Sequence, residues 1–329
     1  MDKVDKQLPK IEISVKTILL GIVLFFSLRF AWDMRDLLLS LFIAYIIMSA
    51  AKQPVEWFVA KGASRGVAVL SVFLLFIILV GFAISWIIPP FAIETALFIK
   101  HFPSIIESIK KLIPININFG NFSFIQYVPS VTNNFLVVVG SLFSNVSFVV
   151  TTIFFSIYLT LDSQTIYEAI ARLLSKPDAE KVVKIEKKIE KRLGQWLVGQ
   201  LFLMAIIGAS TYIGLLLLGV RYALPLGIIA GVLEAIPTIG PTIAAIPAFL
   251  VGFSQAPLLG FFTVLLSIII QQFENHIIVP MVMRKVIGLH PVLTLIALIV
   301  GGRYAGVLGM LFAIPLTLVV GVILSQNKD

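Results

Sequence analysis

One stretch limits this chain more than any other. Residues 234–247 read Glu-Ala-Ile-Pro-Thr-Ile-Gly-Pro-Thr-Ile-Ala-Ala-Ile-Pro, within an apolar segment at 222–253 whose only charge is Glu234. Pro237, Gly240, Pro241 and Pro247 crowd this short run. Pro237 has no N–H for the carbonyl of Leu233, and Pro241 has none for that of Pro237. The segment therefore reads as two half-helices meeting at a polar turn. In lipid, backbone groups freed by such a turn must be buried in protein or hydrated in a cavity. A broken helix with an ionisable residue beside the break is a recurrent way to build a transport site.

The surroundings are those of a membrane. The 329 residues are 59% hydrophobic and 13% charged, where a soluble domain has about a quarter charged. Several runs reach the roughly 18–20 apolar residues that cross a bilayer. The basic N-terminus precedes an apolar run without a small-residue cleavage site, so the first span is expected to be retained. Cysteine is absent, which excludes disulfides and Cys-ligated metals. His101, His276 and His290 lack ligand spacing, so no metal is expected. There is no Gly-x-Ser-x-Gly, His-Glu-x-x-His or P-loop. An enzyme is not expected, nor a cofactor, and any active transport would draw on a gradient. The net charge of +8 is read as topology, not as affinity for nucleic acid.

The fold expected is an all-α polytopic membrane protein. It has about six full spans plus two re-entrant helical hairpins, eight hydrophobic segments in all, with an external amphipathic subdomain. Residues 1–90 hold a cytoplasmic N-terminus and spans 1–3. The first two spans, 17–31 and 37–51, form a hairpin around Asp33-Met-Arg-Asp36, and span 3 ends at Pro89-Pro90. Residues 91–134 read as an external insertion of short helices lying on the membrane surface. Span 4 occupies 135–161, and its Ser and Thr residues can bond back to their own helix. Residues 162–195 form a charged cytoplasmic helix that starts at Ser175-Lys-Pro-Asp178 and runs on into span 5. The transport core, 196–329, adds a hairpin at 222–253, a span at 258–279 and a hairpin at 292–324, interrupted at Gly301-Gly302-Arg303.

Charge supports this topology. Of 25 Lys and Arg, eighteen fall inside: four before residue 17, three in 52–65, eight in 172–192, and Arg284, Lys285 and Lys328. Six fall outside, and Arg303 lies within the membrane. Making 222–253 a full span moves Arg284 and Lys285 outward and weakens the positive-inside bias. Both termini are then cytoplasmic. Trp32, Trp57, Trp86 and Trp196 fall at expected span ends, as an aromatic belt would.

Glu234-Ala-Ile-Pro237 with Gly240, Glu274-Asn275 with Pro280, and the glycine series ending in Pro315 resemble the autoinducer-2 exporter family. The layout of three spans, external insertion, charged helix and dense C-terminal half resembles it too. The resemblance implies a bacterial inner-membrane exporter, assembled as a homopentamer, with two hairpins working elevator-fashion. It also implies a small-molecule substrate: autoinducer-2 for some members, Na⁺(Li⁺)/H⁺ antiport for others. A rival reading is a non-transporting scaffold whose charged helix docks a cytoplasmic partner.

The candidate pathway residues follow from intramembrane polarity. Glu234 would take H⁺ or Na⁺ or accept bonds from a polyol, or else serve as a structural ion pair. Pro237, Thr238, Gly240, Pro241 and Thr242 form the hairpin tip, and free N–H groups just after Pro241 would attract a substrate oxygen. Alternatively, the tip is only a turn. Gln271, Glu274 and Asn275 belong to the densest polar cluster in the C-terminal half, which reads equally as an interfacial collar. Arg303 would pair with Glu234 or Glu274, bind an oxyanion, or snorkel to an interface.

Overall fold

The computed structural model describes residues 33–112, 146–162, 176–283 and 291–325, with scattered positions between 19 and 30, and every regular element among them is helical. In chain order these are α1 (Arg35–Ala60), α2 (Arg65–Leu112), α3 (Val146–Leu161), α4 (Lys176–Leu217), α5 (Ala223–Leu233), α6 (Ile239–Gln255) and α7 (Pro257–Phe273). A π-helical turn (Glu274–Ile278) leads into α8 (Val279–Met283), and α9 (Pro291–Ser325) closes the chain. Among the described residues, five helical stretches are long and apolar enough to cross a bilayer: Arg35–Ala60, Arg65–Ile109, Asp178–Leu217, Pro257–Val282 and Val292–Ser325. The molecule is a multi-pass, all-helical membrane protein.

At the start of α1 the N–H groups of Met34 and Leu38 donate to the carbonyls of Phe30 and Met34, both at 2.9 Å, and Met34 precedes the helix at φ −93°, ψ 10°.

The helix of α2 does not end at Pro89-Pro90. It runs 48 residues through Pro89, Pro90 and Pro103, about 72 Å at 1.5 Å per residue. A proline removes one bond and bends a helix; it need not end it. The amphipathic stripe beyond residue 97 is present, and it packs on protein. Phe98, Phe102, Ile105 and Ile109, spaced four, three and four apart, pack on Leu215, Val220, Ala223, Leu226, Ala248 and Val251. Residues 113–145 lie outside the described residues, as do Ser175, Arg284, Lys285 and Trp32.

Hydrogen bonds and small residues join the helices. Ser40 and Thr152 share a bond of 2.9 Å between α1 and α3, and Arg65 donates to the Thr160 carbonyl at 3.0 Å. On α3, Thr152, Ser156 and Thr160 also bond back to carbonyls one turn earlier. The charged and apolar parts of α4 form one helix. Lys52 on α1 meets Glu190 on α4 at 2.7 Å, and Tyr45 donates to Glu186 at 3.0 Å. Below them, Ile46, Leu193, Trp196, Leu203, Ile314 and Leu318 form a buried cluster. Trp196 is thus a core residue at 7% exposure, whereas Trp57 and Trp86 face outward as a belt requires. On the far side of α4, Gly231 lies against Gly208, and Gly227 against the backbone of Tyr212. Residues 227 and 231 let α5 approach α4 at backbone contact.

Both helix pairs of the C-terminal half fold back on themselves. Tyr222, just before α5, lines the same cavity as Val251, Ser254 and Gln255 at the end of α6. The two ends of the broken segment therefore lie close together. In α9 the helix breaks at Ala305 (φ −133°) and Gly306 (φ 59°, ψ −139°). Gly301 and Gly309 then press backbone to backbone, although an unbroken helix would hold them about 12 Å apart. The turn thus pairs residues four before and four after Ala305, and Gly302 lies against the Met310 side chain.

Gly194 is the tightest crossing of α1 and α4, where a Cβ would overlap the Ser49 carbonyl. Gly194→Ala is expected to force the helices apart at a cost of about 1–3 kcal/mol, read as a lower melting temperature of the purified protein in detergent. An unchanged melting temperature would show that the crossing is looser.

Candidate transport site

The break between α5 and α6 is one turn, built bond by bond. α5 ends by tightening: Ala235 and Ile236 donate three residues back, to Val232 at 3.1 Å and Leu233 at 2.9 Å. Pro237 has nothing to donate. Ile239 N–H then reaches the Pro237 carbonyl at 2.8 Å, closing a γ-turn centred on Thr238 at φ 68°, ψ −43°. A β-branched residue there costs on the order of 1–3 kcal/mol and persists only where its surroundings enforce it. Gly240 N–H returns to Ile236 at 2.9 Å, and its α-carbon faces the Leu233 carbonyl so closely that a Cβ would overlap it.

Pro241 is the third residue of α6, and Pro241 and Pro247 both stay within that helix. Within the break the N–H groups of Ile239 and Gly240 are spent on Pro237 and Ile236, and Pro241 has none. The Thr242 hydroxyl is engaged too, donating to Thr238 O at 2.9 Å.

The break leaves the carbonyl of Glu234 without a helical donor. Gln200 of α4, only 4% exposed, supplies one: its Nε2 donates to Glu234 O at 2.8 Å. The sequence reading passed over Gln200, although the signal was an amide in an otherwise apolar span.

Glu234 itself is fully buried, and Glu274 is 4% exposed. The two carboxyl groups are electrostatic neighbours. Both oxygens of Glu234 and Oε2 of Glu274 are buried without a hydrogen-bond partner among the described residues. Glu274 opens the π-helical turn, where Val279 N–H reaches back five residues to its carbonyl. The cause is nearby. Pro280 cannot donate to His276 and its ring crowds that carbonyl, so the preceding turn widens. π turns of this kind cluster at functional sites. Each carboxyl thus sits at an irregularity, one beside the break and one in the π turn.

The other candidates stand apart from this pair. Gln271 is half-buried; Gln272, Asn275 and His276 are exposed, and only Glu274 of that cluster turns inward. Arg303 is exposed, and among the described residues no ion pair joins it to Glu234 or Glu274. Thr238 and Thr242 are exposed, and Pro237 and Pro241 half-buried. The second folded-back helix reaches the break through apolar contacts: Ile236 and Ile239 pack with Leu298, Val307, Met310 and Ala313.

An ionised carboxylate buried without a donor is costly. Two facing each other call for a proton, or a cation in its place. Long apolar helices around a twice-broken core, with an acid pair inside it, define a multi-pass membrane protein of the permease type. The sequence profile of the AI-2E family transporters matches residues 18–328, and the chain belongs to that family. YrrI of Bacillus subtilis, provisionally named a transport protein, is 26% identical over 332 residues, 93% of this chain and 92% of its own. YueF of the same organism, named likewise, is 28% identical over 287 residues, 81% of this chain and 78% of its own. The AI-2 transport protein TqsA of Escherichia coli is 30% identical over 162 residues, 47% of this chain and 45% of its own.

Gly240→Ala tests the break. The new methyl group meets backbone, which cannot rotate away, so the variant is expected to lose a few kcal/mol of stability and any activity that needs the turn. A melting scan decides; wild-type stability would mean the two half-helices can separate without cost.

Proposed function

We propose that the protein is a secondary transporter of the bacterial inner membrane that exports a small polar metabolite or signal, with the Glu234–Glu274 pair carrying the coupling proton. The observation behind this reading is the acid pair itself, buried at two helix irregularities without donors among the described residues. Intramembrane acids are costly and mark ion pathways. Autoinducer-2 is the leading substrate, from the family and from the function named for TqsA. Segments 222–253 and 292–324 act as re-entrant hairpins that move together, elevator-fashion, in a homopentamer with both termini cytoplasmic. The shared cavity at the two ends of the first segment supports its re-entrant course.

The same carboxyl oxygens favour a second reading, Na⁺(Li⁺)/H⁺ antiport, in which the cation replaces the proton. A scaffold role is less well supported, because Glu186 and Glu190 on the charged helix are turned onto α1.

Glu234→Gln keeps shape while removing the ionisable group. In proteoliposomes, the variant is expected to lose flux driven by an imposed proton gradient by at least tenfold, with its melting temperature held near wild type. Glu274→Gln should behave alike. A fall in melting temperature with proton-driven flux intact would make the pair structural. Sodium efflux coupled to proton uptake, without flux of organic solutes, would select the antiporter.

The hairpin course has its own test in a chain without cysteine. Arg221→Cys and Pro257→Cys flank the broken segment and should both react with an impermeant maleimide from the same side of the membrane. Labelling from opposite sides would mean that 222–253 spans.

A further inference from the structure

A second polar site lies away from the acid pair. The distal end of α2 and the ends of α5 and α6 enclose a pocket of about 380 Å³, within the range of small-ligand sites. Its polar lining includes His101, Ser104, Ser108, Arg221, Tyr222, Ser254 and Gln255, and no carboxylate among the described residues contributes. Arg221 is exposed and forms no ion pair among the described residues. His101 Nδ1 and Tyr222 OH lie 2.9 Å apart, and their rings stack. Tyr222 holds a left-handed backbone at φ 59°, strained for a bulky side chain, and Phe98 packs edge-on against its ring at 5.6 Å. The strain is retained where the side chain forms the pocket wall.

The chemistry of the wall selects a ligand. A free guanidinium binds carboxylate or phosphate through paired N–H donors. The hydroxyls of Ser108 and Ser254 already donate to backbone carbonyls, so they present lone pairs to hydroxyl donors of a ligand. A cation with no ion pair among the described residues, beside a row of acceptors, suits a molecule that combines negative charge with hydroxyl groups. A neutral polyol lacks the charge, and a simple anion lacks the donors.

We propose that this pocket binds a small hydroxylated anion of the glycerol-phosphate kind, gripped by Arg221 and by the His101–Tyr222 pair. Such a ligand bridges α2 to both ends of the α5–α6 pair and holds them together. Glycerol phosphate occurs both as a free solute and as the headgroup of phosphatidylglycerol, and the test separates these sources.

The experiment is calorimetric titration of the full-length protein in lipid-free detergent with glycerol 3-phosphate, glycerol and inorganic sulfate. Saturable binding of glycerol 3-phosphate is expected, at least tenfold tighter than sulfate and with none for glycerol. Arg221→Gln should weaken it tenfold or more and Tyr222→Phe several-fold, both with unchanged melting temperature, while Glu234→Gln should leave it intact. That last variant keeps failure of this site distinct from failure of the transport reading. Repeating the titration in nanodiscs assigns the source: phosphatidylglycerol that blocks the solute where phosphatidylcholine does not identifies the headgroup as ligand. No saturable binding, or binding indifferent to Arg221→Gln, overturns the proposal.

Discussion

A carbonyl at membrane depth must find a donor, and the core of this protein is arranged around one that lost its own. The γ-turn at Thr238 takes the helical partner away from Glu234 O, and Gln200 replaces it from a neighbouring helix. That single bond fixes α4 against the break. With α4 held there, Gly208 and Gly231 come into backbone contact, and the Glu234 side chain is directed toward the π turn. The site is thus a by-product of satisfying the main chain, and its polarity is inherited from the place where the helix fails.

Much of this was legible in the sequence, and the reasons differ from residue to residue. Pro237 announces the break because a missing N–H is a local fact. Glu234 and Glu274 stand out because a carboxyl within an apolar run has few innocent explanations. Their meeting was not legible, since it depends on two turns forty residues apart packing on each other. Arg303 was the obvious mate by charge, and the fold leaves it at the surface. The prolines of α2 and α6 misled for a related reason: sequence shows the bond each one deletes but not the packing that carries the helix past it. Trp196 sits at a span end, as a belt residue would, yet α4 does not stop there, so the indole is covered by Ile314 and Leu318.

The way the helices hold together is that of a protein in lipid. Large apolar side chains such as Leu74, Phe82 and Leu217 face outward, where hydrocarbon is as good a neighbour as protein. Hydrophobic burial therefore does little to bring these helices together, and close van der Waals fit has to serve. The glycines at 194, 208, 231, 301 and 309 supply it, each placed where two backbones touch.

The length of α2 has a mechanical consequence. Its first residue, Arg65, is tied to the end of α3, and its far third lies on the α5–α6 pair. One continuous helix thus connects these two regions, with a contour length more than twice the thickness of the hydrocarbon layer. A shift of the broken helix pair acts on the long arm of this lever and is felt as a torque at the opposite face. Pro89, Pro90 and Pro103 mark where the helix flexes most readily, so they divide any such movement into a part transmitted across the membrane and a part absorbed as bending.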